Sequence, residues 1–226
     1  MRKDWKASCI KFMHWRAGAS IDRVDSKDAV VILRDGAALA RSDFSSEALD
    51  DLLRSSLALG VSALDRYLHE RVVKSIVKSL RSADLKSAQE RLAIPAILAV
   101  RMTKDWKKAA RSGKPIRPAN QLRISLQEAL HLRSFQTWRE IEEAFELIGI
   151  TGVMGKLQTA YGVGDITPVR SQLNSVVQRR HRIVHEGDLV RHKRAGQPRM
   201  HPLKRKYVAD SLDFLDGLVG HLEGIQ

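Results

Sequence analysis

A chain of 226 residues has room for one domain with a sizeable core, and its single cysteine, Cys9, excludes an internal disulfide framework and points to a reducing compartment. The 39 Lys plus Arg against 26 Asp plus Glu leave a formal charge of +13, which gathers polyanions at the surface and makes nucleic acid the expected partner, although charge also serves solubility alone. The most apolar windows, 57–64 and 94–100, are too short to span a bilayer, and Met1-Arg2-Lys3-Asp4-Trp5 opens no uninterrupted apolar stretch; the expectation is a soluble, cytoplasmic protein with no membrane partner.

Residues 1–44 read as an extension to a helical domain over 45–226. In the extension, Trp5, Cys9, Phe12 and Met13 recur at helical spacing. Ala29-Val30-Val31-Ile32-Leu33 suits helix or strand and is taken as helix. A long amphipathic helix follows to about Leu80. Ser45 and Ser46 offer an N-cap, Glu47, Asp50 and Asp51 complement the dipole, and Leu49, Leu53, Leu57, Val61, Leu64, Leu68, Val72 and Ile76 form one stripe. A second helix is predicted from Ile94 to Trp106, running into a basic loop through Ser112-Gly113-Lys114-Pro115.

Helical spacing returns over Leu122–Leu132, over Trp138, Ile141, Phe145 and Ile148 closed by Gly149, and over Val153–Tyr161 closed by Gly162. Thr167 is the predicted cap of the next helix, with Pro168 in its first turn and Val169, Leu173, Val176, Val177 and Val184 as its apolar stripe. Gly187 supplies the left-handed exit and places His185 at the helix C-terminus. A loop rich in Gly, Pro and Arg then leads to a last helix through Val208, Leu212, Leu215, Val219 and Leu222. The class is all-α.

Within the capped helix Arg180 stands four residues after Val176 and four before Val184. A charge on an apolar stripe demands a partner or an exit to water. It either snorkels or pairs with a carboxylate such as Asp65 or Glu70, or it is held to face an anion. His185 lies five residues on, well around an ideal helix, a gap that two copies across a dimer would close. Its acid or base role stays open, because the helix dipole and the neighbouring arginines act in opposite directions.

The string Gln178-Arg179-Arg180-His181-Arg182-Ile183-Val184-His185-Glu186-Gly187-Asp188 resembles the signature of HEPN domains, and most specifically the branch named after ribonuclease L and prokaryotic schlafen-like proteins. The hallmark is arginine, a polar residue, three further residues and histidine, which falls on Arg180, His181 and His185; asparagine is commonest where this chain has His181. Asp50-Asp51-Leu52-Leu53-Arg54-Ser55-Ser56 and Val61–Glu70 are similar to the long upstream helix of the same branch, so the resemblance covers about residues 45 to 223. It implies a helical bundle with a long central helix and a C-terminal motif helix, working as a homodimer in which both motifs line one cleft.

The implied activity is endoribonucleolytic, of the toxin or phage-defence type, and needs no metal or other cofactor. His185 would move protons as the ribose 2′-hydroxyl attacks the adjacent phosphate, Arg180 would stabilise the developing phosphoryl charge, and His181 would orient the substrate. Arg179, Arg182, Lys193, Arg194, Lys204 and Arg205 are the expected RNA-binding residues beside the motif. Two basic runs offer a grip that reads no base: Lys104, Lys107, Lys108, Arg111, Lys114 and Arg117, then Arg191, Lys193, Arg194, Arg199, Lys204, Arg205 and Lys206. Trp106, Trp138 and Tyr161 serve as core or as stacking platforms.

A cognate antitoxin or nucleotidyltransferase is the partner such a toxin would have. Two rival readings remain at this stage. A zinc hydrolase would pair His181 and His185 as ligands with His192 or His201, though no Glu lies between the first two as in a metalloprotease motif. A non-catalytic dimeric module of the same family would bind RNA or a protein partner.

Overall fold

The computed structural model describes residues 46–82, 84–92, 96–112, 118–190 and 199–225. Among them the chain is all-α, in the order α1 (Ser46–Arg81), α2 (Ser87–Glu90), α3 (Ala96–Arg111), α4 (Pro118–Leu130), α5 (Trp138–Ile148), α6 (Val153–Tyr161), α7 (Thr167–Glu186) and α8 (Arg205–Gly224). The long early helix and the motif helix are both present: α1 has 36 residues and α7 has 20. No described helix is long and apolar enough to cross a membrane. The helices read into the extension over 1–44, and the Ser45 cap, lie outside the described residues.

The helices gather into two compact units, divided within α1 after Arg66. One comprises 46–66 and 157–225, the other 67–156. In the second unit, Leu68, Val72 and Ile76 of α1, Leu126 and Leu130 of α4, Phe135, and Ile141, Ala144 and Phe145 of α5 are all buried. α5 begins with a capping box: the Thr137 hydroxyl accepts from the Glu140 amide, and the Glu140 carboxylate accepts from the Thr137 amide at 2.8 Å. It ends at Gly149, whose φ of 89° is left-handed. The Trp138 ring is buried and its indole N–H meets Met154 Sδ, so this tryptophan is core.

Two boundaries in this unit differ from expectation. α3 continues to Arg111, five residues past Trp106, because Lys107-Lys108-Ala109-Ala110-Arg111 are all strong helix formers and nothing breaks the helix before Gly113. α4 opens at Pro118 rather than Leu122, since proline is well suited to the first helical position. The first basic run is therefore largely helical, and Lys114 and Arg117 lie outside the described residues.

In the first unit, Leu57, Val61 and Leu64 of α1, Leu157 of α6, Leu173 and Val176 of α7, and Val208, Leu215, Leu218, Val219 and Leu222 of α8 are buried. α1 and α8 approach so closely at Gly60 that a Cβ there would collide with the Leu212 side chain. The start of α7 departs from the predicted cap. Thr167 is already helical, and the Asp165 carboxylate accepts from the Thr167 amide at 2.8 Å, which holds the Asp165 carboxyl below its ordinary pKa. A short acidic side chain two residues ahead of a free amide competes well with a threonine for that role.

Candidate functional site

α7 is an unusual helix for the interior of a unit: Leu173 and Val176 are its only buried residues. Past Val176 the expected apolar stripe fails. Val184 is 49% exposed, and Arg180 is half-buried. The helix carries Arg170, Arg179, Arg180 and Arg182 against one acid, Glu186, so its C-terminal half presents an excess of positive charge.

The adjacent arginines 179 and 180 have different fates. Arg179 turns back to Asp188, its Nη2 donating to Asp188 Oδ2 at 2.7 Å and to the carbonyls of His201 at 3.2 Å and Pro202 at 3.3 Å. Arg54 of α1 joins from the other side: Nε donates to the same Oδ2 at 3.0 Å and Nη2 to the His201 carbonyl at 3.1 Å. Asp188 is fully buried and takes a left-handed φ of 57°, which only a short polar residue tolerates at modest cost. The chain then pairs with its own return through one isolated antiparallel bridge, Leu189 opposite Met200, with Val190 N–H to Arg199 O at 2.8 Å and His201 N–H to Asp188 O at 2.8 Å. Arg179, expected at the RNA, is thus a structural group here: one buried carboxylate needs both guanidiniums to offset its desolvation.

Arg180 has no such partner among the described residues. Its Nε is buried without a hydrogen bond, as is that of Arg179, but Arg180 has no Nη contact to a described residue in compensation. A donor held out of water with nothing to meet costs on the order of 1–3 kcal/mol unless a ligand or a second chain supplies the acceptor. Beside it, His181 and His185 are exposed and their rings meet at 4.5 Å between centroids, tilted by 43°. On an ideal helix His185 stands about 140° around from Arg180 and about 40° from His181, so the two imidazoles share a face and the guanidinium does not.

Two residues absent from the sequence expectation share the imidazole face. Asn174 and Gln178 are exposed, and Asn174, Gln178, His181 and His185 follow one another at spacings of four, three and four, which aligns all four within about 60° of arc. Asparagine and glutamine in a helix carry no strong signal until exposure shows which way they face.

Of the remaining expected RNA-binding residues, Arg182 is half-buried on α7, and Lys204 and Arg205 are exposed at the start of α8. Lys193 and Arg194 lie outside the described residues, as does His192. Among the described residues no three His, Cys, Asp or Glu side chains converge as a metal-ligand group, so His201 does not complete a site with His181 and His185. Tyr161 stacks on His221 at 4.0 Å, which makes it a packing residue rather than a free platform; burial raises its hydroxyl pKa. The Trp106 side chain lies outside what is described.

No protein family, no curated protein and no solved structure matches the chain.

Proposed function

We propose that this protein is a metal-independent endoribonuclease of the HEPN type, acting as a homodimer in which two copies of α7 face one cleft. The observation that carries the reading is the pairing at one helix end of an arginine that makes no hydrogen bond to a described residue with two exposed imidazoles, on an otherwise cationic helix. A phosphodiester supplies what is missing, an anion for the Arg180 guanidinium and a proton to be moved by His185. Because about 140° of helix separates these two groups, a second copy is the simplest way to bring both to one phosphate. Val184, Leu189 and Met200 stand 40–49% exposed near the same helix end and offer apolar surface for that contact.

In the proposed reaction an imidazole removes the proton from a ribose 2′-hydroxyl as its oxygen attacks the neighbouring phosphorus. The bond to the 5′ oxygen breaks, and that oxygen takes a proton from an imidazolium. Arg180 lies against the phosphoryl oxygens as their charge grows, and His181 holds the substrate or its neighbouring imidazole. Products end in a 2′,3′-cyclic phosphate and a 5′-hydroxyl. The biological setting this suits is a toxin or phage-defence nuclease restrained by a cognate antitoxin or nucleotidyltransferase.

The test is degradation of total RNA by the purified chain in a chelator, with product ends analysed for cyclic phosphate, alongside Arg180→Ala and His185→Ala. Cleavage that survives the chelator and is lost in both variants supports the proposal. RNA binding without cleavage replaces it with the non-catalytic dimeric module, and activity that requires added zinc replaces it with a metal hydrolase.

A further inference from the structure

The second unit carries a feature that the motif does not use. Lys104, Lys107, Lys108 and Arg111 of α3, with Ser112 at its end, line an open depression of about 410 Å³. The spacing of three, one and three residues sets the four cations within about 100° of helix arc and over about 10 Å of axis. All four are exposed, and none pairs with a described carboxylate.

Such an arrangement works against the helix. Like charges at spacings of three and four destabilise it by about 0.2–0.5 kcal/mol for each pair, and the four residues make several such pairs. Lys108 and Arg111 lie in the last turn, where the helix dipole offsets part of that cost, but Lys104 and Lys107 lie beyond its reach. An isolated solvated face would disperse its charges; this one concentrates them on the walls of a concavity. Lysine stems give the depression apolar sides and their ammonium groups a cationic rim, a combination suited to an extended row of phosphates.

We propose that this depression is a phosphate-row binding site: it takes the backbone of a single RNA strand, or a free polyphosphate of the same chemistry, without reading bases. At the roughly 3.4 Å axial spacing of one strand of a duplex, about 10 Å presents about three phosphates, all within reach of the four cations. The site belongs to 67–156 alone and does not depend on whether His185 cuts RNA.

The experiment uses the full chain and a 2′-O-methyl oligonucleotide, which binds but cannot be cut through the 2′-hydroxyl. The variant Lys104→Gln/Lys107→Gln/Lys108→Gln/Arg111→Gln keeps good helix formers at exposed positions. The control Lys74→Gln/Lys78→Gln/Arg81→Gln/Arg123→Gln removes the same charge from other exposed positions. The expected result is a slope of log affinity against log salt that is shallower by about 2 in the first variant and nearly unchanged in the control. Between 50 and 200 mM salt, wild type then loses about 20-fold more affinity than the first variant does.

Competition by inorganic tripolyphosphate distinguishes the sources. If the oligonucleotide binds through these residues, the ligand is a nucleic-acid strand; if only tripolyphosphate does, it is a free polyphosphate, and either outcome supports the site. Equal losses in variant and control, or binding of neither ligand through these residues, overturns it. Arg180→Ala/His185→Ala in the same assay keeps the α3-dependent slope, so failure of the nuclease reading leaves this result distinct.

Discussion

Arg179 and Arg180 are neighbours on one helix, identical in chemistry and both half-buried, each with a buried Nε that meets no acceptor, yet the Arg179 Nη2 is held by Asp188 and two carbonyls while Arg180 makes no hydrogen bond to a described residue. The difference is a matter of 100° of rotation. Arg179 points to the side where Asp188 and the His201 carbonyl wait with Arg54, and Arg180 points to a side where the helix has stopped burying residues. One arginine fixes where the end of α7 lies; the other makes no bond to a described residue. On the proposed function, a cationic helix separates its anchoring from its chemistry by face, and the anchored face holds the other in place.

The sharpest way to break this contrast is to remove the shared carboxylate. Asp188→Ala leaves Arg179 without its counter-charge and Arg54, of which 6% is exposed, with only the exposed Asp51 carboxylate at 3.4 Å, and should cost about 3–5 kcal/mol in chemical denaturation. Arg180→Ala should not lower stability and should raise it by up to about 1–3 kcal/mol, because it removes a buried unmet donor and no bond to a described residue. On RNA the ranking reverses at constant fold. His185→Ala is expected to slow cleavage by about 10²–10⁴-fold and Arg180→Ala by about 10²–10³-fold, measured as single-turnover rates. If Arg180→Ala unfolded the protein and Asp188→Ala did not, the division of labour between the two faces would be overturned.

The helical class, the long α1, the Gly149, Gly162 and Gly187 exits and the motif helix were legible because each rests on local chemistry: periodic apolar residues, strong helix formers and glycines with φ near +60 to +90°. The Asp188 cluster was not read, although half of its signal was present. Arg54 falls on the α1 stripe three residues before Leu57, and a charge there demands a partner for the same reason as one at Arg180. Its partner lies 134 residues away and follows a glycine, so only the fold could identify it. The same limit explains Val184. Its spacing places it on a stripe, but spacing does not say where neighbouring helices stop covering that stripe. The division of the chain after Arg66 falls inside an uninterrupted helix, where composition marks no boundary.

The contrast sharpens further on the imidazole face. Asn174 and Gln178 extend it away from His185 as neutral amides, so they would hold RNA without entering the reaction. Gln178→Ala and Asn174→Ala should each raise KM by about 2- to 10-fold, the value of one hydrogen bond, and leave kcat alone. A fall in kcat instead would make them part of the reacting cluster.

The smallest effect tests whether an unpartnered buried atom marks a site at all. The Tyr161 hydroxyl is also buried without a hydrogen bond, but it sits against His221 and within packing rather than beside an open cationic face. Nothing is expected to bind there, so Tyr161→Phe should be neutral to stabilising by up to about 1 kcal/mol and silent on RNA. Its pH signature has a definite sign. Burial raises the hydroxyl pKa above 10.0, so the neutral phenol is preferred in the folded state, and its contribution is intact below that value and lost as pH rises through the folded one. Denaturation at neutral pH and at about pH 11 should therefore show wild type losing stability that Tyr161→Phe retains. Equal alkaline losses would mean that the phenol is solvated in the folded chain.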